Sequence, residues 1–320
     1  MIASAGLDAS LLTRLADNSN AVKRQLDVAL QQEGTGKITD AYAGLGTGLR
    51  TSLDLRPALQ HLQTWQDNID RASTRLDVTQ SALKQISAIA HEYYAKTNDI
   101  NSVGVSEVSS IAVTAKQALE QVAQLLNSKA GDIYVFAGQD TANPPIPNTD
   151  PAAVGADLLA SDTATPPFST TIGTAVPTVE VGDGQRVQVG LLANANTLST
   201  SGAPTTGSYM RDVMRALATL ANLTDGPTAQ ATAADVRLRL RSAIGAMADE
   251  TGALGDIQSG LATRKATLAA TQTATAKQVS NAEDIDMAAT LTKISSLQTQ
   301  LQASYQLIAG AKGLSLVNVL

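Results

Sequence analysis

A stripe of apolar residues runs along the chain from residue 58 to residue 93, with steps that alternate between four and three positions. This heptad pattern is typical of long helices that pack knobs-into-holes against neighbouring helices. Pro57 precedes the stripe and favours a helix that begins there. Thr97-Asn98-Asp99 favours an end to it. The stripe contains Ala58, Leu62, Trp65, Ile69, Ala72, Leu76, Thr79, Leu83, Ile86, Ala90 and Tyr93.

Further stripes predict three more helices. One helix, about 106–129, should pair with the first as an antiparallel hairpin; its stripe is Val108, Ala112, Ala115, Leu119, Val122 and Leu126. Another begins near Ser208, with Met210, Val213, Met214, Leu217 and Leu220 on its apolar face. The longest follows Asp225-Gly226-Pro227 and presents Val236, Leu240, Ala243, Met247, Glu250, Leu254, Ile257, Leu261, Arg264 and Leu268.

Both chain ends also read as amphipathic helices. The N-terminal stripe is Leu12, Leu15, Ser19, Val22, Leu26 and Ala29. The C-terminal stripe is Met287, Leu291, Ile294, Gln298, Leu301, Tyr305 and Ile308, and it runs into GLSLVNVL, which contains Leu314 and Leu316. Ser280 and Glu283 fit a capping box for this last helix. Two narrow stripes bury little area by themselves, which favours packing between molecules over docking on the chain's own core.

Residues 137–206 differ from the rest, because eight of the ten prolines lie between positions 144 and 204. We expect this segment to be non-helical. Within it, TVEVGDGQRVQV (178–189) predicts a β-hairpin. A three-residue loop would pair Val179 with Val187 and Glu180 with Arg186, whereas a two-residue Asp-Gly turn would place Val181 opposite Arg186. The first register keeps the valines on one face and is the one we predict.

The stretch GDIYVFAGQDTANPPI (131–146) predicts the exit from the helical part of the chain. Gly131 should end the second long helix. Tyr134 and Phe136 alternate with Val135, so one face is expected to hold a strand against the helices. Gly138 and the prolines then prevent further helix.

These elements predict a mainly α fold, a folded-back rod of long antiparallel coiled-coil helices with a small β-rich insertion at the far tip. We expect terminal assembly helices at 1–45 and 281–320. The coiled-coil shaft should comprise 46–136 and 207–280, and a Pro-rich, β-containing outer insertion should occupy 137–206. Aromatic residues are only 3% of the chain, which suits helices packed through small and aliphatic side chains.

Composition and charge exclude several classes of function. The net charge is −6 and the arginines at 237–241 point in different directions on a helix, so nucleic acid is not an expected partner. Cysteine is absent, which excludes thiolate metal sites and disulfides. No apolar run reaches eighteen residues, so membrane insertion is not expected, and no cleavable signal peptide is visible.

Motifs for catalysis or cofactor binding are missing. EGTGKI (33–38) and GLGTG (44–48) lack the spacing of phosphate-binding loops. His61 and His91 lie on one predicted helix, roughly 45 Å apart at the helical rise, and cannot share a metal. The acids of NAEDID (281–286) are explained by a helix N-terminus. We therefore predict no enzyme activity, no catalytic residue, no cofactor and no metal site.

Three stretches of the chain resemble segments of the bacterial flagellin family. EDIDMAATLTKISSLQTQLQASYQLIAGAKGLSLVNVL (283–320) is similar to that family's C-terminus, and most similar to its hook–filament junction subgroup (hook-associated type 3). The shared features are an Asp-Met-Ala start, Gln-rich heptads and a Leu-Ser-Leu close. YVFAGQDTANPPI and GDGQRVQV resemble segments of the same subgroup. The resemblance covers about 45–146 and 178–320, and the N-terminus lacks the usual Ser-Gly-Lys-Arg-Ile pattern.

The resemblance implies an extracellular structural subunit of the bacterial flagellum that is exported without a cleaved signal through the flagellar type III apparatus. Its partners would be other copies, the hook-side junction protein and flagellin, with an export chaperone on the C-terminal helix. The expected assembly-interface residues are Leu12, Leu15, Val22, Leu26, Met287, Leu291, Ile294, Leu301, Tyr305, Ile308, Leu314 and Leu316. A filament flagellin is the alternative. A ligand-binding or enzymatic protein on a coiled-coil scaffold is a more distant one, and it would need a polar pocket in 137–206.

Overall fold

In a computed structural model the protein is mainly α-helical, as predicted. The structure describes residues 2–100, 105–162, 165–195 and 205–317. The α-helices in these residues are α1 (Ile2–Thr35), α2 (Gly48–Asp99), α3 (Val105–Leu126), α4 (Pro151–Ala160), α5 (Tyr209–Ala221), α6 (Ala229–Glu283) and α7 (Met287–Val317), and a short 3-10 helix spans Tyr42–Leu45. The strands are β1 (Lys129–Ala130), β2 (Ile133–Tyr134), β3 (Thr178–Gly182) and β4 (Gln185–Gln188).

The chain divides into two compact units. Unit 1 comprises residues 1–61 and 270–320, and unit 2 comprises residues 62–269. Unit 1 therefore contains both ends of the chain. Unit 2 contains the β-strands, the short helix α4 and most of the predicted heptad positions.

The predicted heptad stripes form the core of unit 2. On α2, the residues Leu62, Ile69, Ala72, Leu76, Thr79, Leu83, Ile86, Ala90 and Tyr93 are all buried. On α6, so are Val236, Leu240, Ala243, Met247, Leu254, Leu261 and Leu268. Thr79 is accommodated because its hydroxyl donates to the carbonyl oxygen of Arg75 at 2.9 Å. Burial of each large aliphatic side chain contributes about 1.5–3 kcal/mol before entropic costs.

The start predicted for α2 is wrong. The helix begins at Gly48, and Pro57 lies inside it. Proline inside a helix removes one backbone N–H donor and leaves the carbonyl of residue 53 without its helical partner. Leu53 is exposed, so this carbonyl lies on a side of the helix that solvent reaches.

The Pro-rich segment contains a helix that the sequence analysis excluded. Helix α4 begins at Pro151, where the missing N–H carries no penalty. Asp150 caps it, since its side chain accepts a hydrogen bond from the backbone N–H of Ala152. Val154 and Leu158 of α4 are buried in the same cluster as the heptad residues of unit 2. Pro151 is therefore compatible with this helix because it occupies the first position.

The hairpin has the predicted register. Val179 pairs with Val187 and Glu180 pairs with Arg186. The loop differs, because Gly182 pairs with Gln185 and only Asp183 and Gly184 remain between the strands. A bulge at Val181, between Glu180 and Gly182, absorbs the extra residue and keeps both valines on one face.

The stretch at 131–146 leaves the helices by a route different from the one predicted. Helix α3 ends at Leu126, and Gly131 lies in the turn that joins β1 to β2. Val135 and Phe136 are both fully buried, so the expected alternation is absent. Gly138 has a φ of +62°, and a Cβ there would lie 2.4 Å from the carbonyl oxygen of Ile172, so only glycine fits this position.

Candidate assembly surface

Helices α1 and α7 pack against each other within unit 1. Ala29 of α1 and Ile294 and Leu297 of α7 form a buried cluster, against which Val22 and Leu26 pack. This cluster is separate from the large core of unit 2. The predicted pairing of the two chain ends is therefore present, but it rests on few buried side chains.

The structure divides the predicted stripe of α7 lengthwise. Ile294 is buried against α1, and Leu301 and Ile308 are half-buried on the same edge. Met287, Leu291 and Tyr305 lie on the flank of this stripe that is farther from Leu297, and they are 44%, 46% and 53% exposed. At 100° per residue these three positions fall within about 40° of one another. We call them the α7 ridge.

The predicted residues of α1 behave differently. Leu15, Val22 and Leu26 are half-buried on the side that packs against α7, beside the buried Ser19 and Ala29. The side chains of Leu12, Leu314 and Leu316 lie outside the described residues. The predicted interface therefore divides into an intrachain seam and an exposed ridge, a distinction that periodicity does not provide.

A buried carboxylate lies where α6 ends. The side chain of Glu283 is 7% exposed. Its Oε1 accepts hydrogen bonds from Ser52 Oγ at 2.6 Å and from Arg56 Nε at 2.7 Å. Its Oε2 accepts from Arg56 Nη2 at 2.5 Å and from Lys37 Nζ at 3.4 Å. We call these four residues the Glu283 cluster.

The Glu283 carboxylate is ionised over the whole physiological range. Hydrogen bonds from Arg56 and then from Ser52 lower the pKa of this carboxyl to about 2, against the opposing effect of burial. The cluster could not be predicted from the sequence, because its other members lie 227 to 246 positions from Glu283. The only local sign is an acid at the end of a helix, which we had assigned to a capping box.

That capping box is wrong, and the acidic stretch 281–286 serves other purposes. Helix α6 continues through Ser280, whose hydroxyl donates to Asp284. Asp286 caps α7 instead, since its Oδ1 accepts from the backbone N–H of Ala289 at 3.0 Å. Among the described residues, no group of three or more His, Asp or Glu side chains is placed to hold a metal ion.

A cavity of about 390 Å³ in unit 2 bears on the alternative of a ligand-binding protein. Gln188 and Glu250 supply its polar side chains, and the other lining residues are aliphatic or glycine. Burial raises the pKa of the Glu250 carboxyl. Tyr209 is fully buried, and its pKa is raised by burial and by the charge of Glu250. Among the described residues that line this cavity, Glu250 is the only one with a titratable side chain.

His61 and His91 both lie on α2 and are exposed. None of the helices, searched over the described residues, is both long and apolar enough to cross a membrane.

Comparison with known families supports the resemblance found in the sequence. Residues 239–320 match the family model of the bacterial flagellin C-terminal helical region. This match includes α7, the Glu283 carboxylate and all of α6 except its first ten residues. The resemblance to flagellins is therefore confirmed over the last quarter of the chain. A comparison with curated protein sequences gives no match.

Solved structures with a similar fold come from flagellar hook-associated proteins. A putative flagellar hook-associated protein from Vibrio parahaemolyticus has a TM-score of 0.58 at 13% identity, covering 73% of this chain and 97% of its own. FlgL from Bacillus cereus has a TM-score of 0.53 at 17% identity, with coverages of 70% and 97%. FlgL from Xanthomonas campestris has a TM-score of 0.53 at 15% identity, with coverages of 71% and 99%. At these identities the similarity establishes the fold.

Proposed function

We propose that this protein is a structural subunit of the bacterial flagellum, located at the hook–filament junction, and that it assembles through α1 and α7. The observation that carries the proposal is the exposed α7 ridge on a helix that matches the flagellin C-terminal region. The fold, which is shared with flagellar hook-associated proteins, supports the same assignment.

The ridge favours contacts between molecules. Met287, Leu291 and Tyr305 are large apolar or aromatic side chains on one edge of a helix whose other edge already packs on α1. Removing such side chains from water by covering them with a partner is favourable in free energy. The α1–α7 pair buries only a small cluster of its own and is stabilised when neighbours add to it. A second copy of the pair supplies matching amphipathic helices.

The geometry of the assembly follows from the asymmetry of this pair. The ridge belongs to α7, whereas the large exposed apolar side chains of α1, over its described residues 13–35, are Val28 and Leu30. A contact between unlike surfaces is heterologous and repeats from copy to copy without closing on a dimer. It therefore builds helical assemblies, which suits a segment of a tubular filament.

Export and chaperoning are further parts of the proposal. The protein would leave the cell through the flagellar type III apparatus without a cleaved signal. Before export, the exposed ridge would self-associate in the cytosol unless a chaperone covered it. The axial partners would be the hook-side junction protein and flagellin. No catalytic role is part of this proposal.

A filament flagellin is the second candidate, because the matching family model is the flagellin C-terminal region itself. Deletion of the gene separates the two functions. Loss of a junction subunit leaves flagellin exported but unattached, so monomeric flagellin accumulates in the medium and hooks lack filaments. Loss of the sole filament protein gives bare hooks with no such pool. Immunoblots of the medium, together with electron microscopy of the cells, decide between these outcomes.

A further inference from the structure

The Glu283 cluster joins three parts of unit 1 that are distant in sequence. Lys37 follows α1, Ser52 and Arg56 belong to the first turns of α2, and Glu283 ends α6. The carboxylate receives four hydrogen bonds from these three donors. Hydrogen bonds to a charged acceptor are stronger than those between neutral groups. The contacts therefore hold one preferred arrangement of the three segments.

Backbone hydrogen bonds extend this connection to both terminal helices. The N–H of Ile38 donates to the carbonyl oxygen of Glu283 at 2.8 Å, and the N–H of Ile285 donates to that of Gly36 at 3.0 Å. Lys37 and Asp284 form an antiparallel bridge between these bonds. Gly36, with a φ of +70°, turns the chain into this ladder directly after α1. The end of α1 and the approach to α7 are thus paired at one point.

The ladder lies where the chain changes direction between α6 and α7. Helix α6 ends at Glu283, and Asp286 caps α7 three positions later. Residues 284–286 form the corner, so their backbone is held by few helical hydrogen bonds. The contacts to 36–38 hold the corner in place. They also constrain the relative position of α1 and α7, which pack together at Ala29, Ile294 and Leu297.

The chemistry of the cluster argues for a positional role over ligand binding. Two cationic side chains already neutralise the Glu283 carboxylate, which leaves no free charge for a metal cation. The carboxylate likewise occupies the place that an anion would take between Lys37 and Arg56. The low pKa of the carboxyl means that the contacts persist from neutral pH to below pH 4.

We infer that Glu283 is a positioning residue for assembly: it locks the corner between α6 and α7 to the segment after α1 and thereby presents the α7 ridge in one orientation. This inference rests on the proposed function, since the ridge is the proposed contact with neighbouring copies. Without these contacts, α1 and α7 keep their apolar residues, but the orientation in which the two helices pack is no longer fixed. Unit 2 has its own core and is unaffected.

The test uses the full-length chain with Glu283→Gln, and Asp284→Asn as the matched control. Glutamine keeps the size of the side chain but loses the charge that Arg56 and Lys37 require. Asp284 is the adjacent exposed acid. Asp284→Asn keeps the backbone pairing with Lys37, and the new amide oxygen can still accept the hydrogen bond that the Ser280 hydroxyl donates. Hydrogen–deuterium exchange is followed for amides in 36–38, 283–290 and, as an internal reference, 210–220.

The inference predicts at least tenfold faster exchange at Ile38 and Ile285 in Glu283→Gln, with wild-type exchange in 210–220 and in the Asp284→Asn protein. A double variant with Arg56→Leu should exchange no faster at these amides than Glu283→Gln, because both changes break the same lock. Unchanged exchange at Ile38 and Ile285 would overturn the inference. Equal acceleration in 210–220 would overturn it too, since the residue would then support the whole fold.

Flagellar assembly gives the second readout and separates this inference from the proposed function. In a strain that lacks the gene, Glu283→Gln should restore less flagellin attachment than Asp284→Asn when the two proteins are exported equally. If Glu283→Gln exchanges faster at Ile38 and Ile285 but restores wild-type flagellin attachment, the positioning role is refuted and the junction function stands. If wild-type protein itself has no effect on flagellin attachment, the proposed function is wrong. The exchange experiment then still tests whether Glu283 holds the corner between α6 and α7.

Discussion

The guanidinium of Arg56 donates hydrogen bonds to both carboxylate oxygens of Glu283, from Nε to Oε1 at 2.7 Å and from Nη2 to Oε2 at 2.5 Å. The two residues are 227 positions apart in the sequence. Such a bidentate pair fixes orientation as well as distance. The pair lies at the start of α2 and the end of α6, next to the corner that leads into α7. The position of the proposed assembly helix therefore depends on a polar contact and not only on apolar packing.

Acidification tests this contact. The pKa of the Glu283 carboxyl is about 2 in the folded protein against an ordinary value of 4.5. A lowered pKa contributes stability that is complete above 4.5 and is lost as the pH falls towards 2. We expect wild-type protein to protect Ile38 and Ile285 from exchange better than Glu283→Gln at pH 7. The difference should fall to a small remainder at pH 2, where about half of the Glu283 carboxyls are protonated, after correction for intrinsic exchange rates. A difference that persists unchanged there would contradict the assignment.

Glu250 should destabilise unit 2 at neutral pH. It occupies a heptad position of α6 at the cavity, and burial raises the pKa of its carboxyl above 4.5. A raised carboxyl pKa means that stability declines as the pH rises from 4.5 through the folded pKa. We expect Glu250→Gln to raise the melting temperature of unit 2 by about 2–4 °C at pH 7 and to leave it unchanged at pH 3.5. Asp249→Asn, at the exposed neighbouring position, is the control and should have no effect.

Two glycines with nearly equal φ angles separate backbone strain from steric overlap. Gly131→Ala meets no atom within 4 Å, so only the φ of +63° opposes it, at about 1–2 kcal/mol. Gly138→Ala adds a contact of 2.4 Å with the Ile172 carbonyl oxygen. We expect it to cost about 3 kcal/mol or more. Urea unfolding followed by circular dichroism measures both, and equal costs would contradict the packing described for Gly138.

The two edges of α7 should respond differently to charge. Leu291→Asp places a carboxylate on the exposed ridge and should change the free energy of unfolding by less than about 0.5 kcal/mol. Ile294→Asp places it in the seam with α1 and should cost about 2–5 kcal/mol of the pairing. Amide exchange in residues 13–35 reports the pairing. It should accelerate in Ile294→Asp alone, and acceleration in both would mean that the edges are not distinct.

The sequence pattern correctly predicted features that depend on neighbouring residues, namely the buried face of α2 and the register of the hairpin. The heptad positions of α2 from Leu62 to Tyr93 are buried because the helical period alone determines which side chains share a face. The pairing of Val179 with Val187 followed from keeping the valines on one face, although a bulge at Val181 replaced the expected longer loop. In both cases neighbours in sequence contain the needed information.

The failures have identifiable causes. Pro57 was interpreted as a helix start because the apolar stripe begins there, yet the helix tolerates it on an exposed face. Asp150-Pro151 is a recognisable helix start, but the density of prolines around it favoured a coil prediction. The Glu283 cluster and the division of the α7 stripe depend on partners that are remote in sequence, so periodicity could not reveal them.

The central claim is that the α7 ridge joins this protein to neighbouring flagellar subunits. The most direct measurement is the amount of monomeric flagellin released by a strain that lacks the gene and expresses wild-type protein, Leu291→Asp or the exposed-position control Thr292→Asp at equal exported levels. We predict that wild type and Thr292→Asp retain flagellin on the cell, whereas Leu291→Asp releases it as the deletion strain does. Full retention of flagellin by Leu291→Asp would contradict the claim.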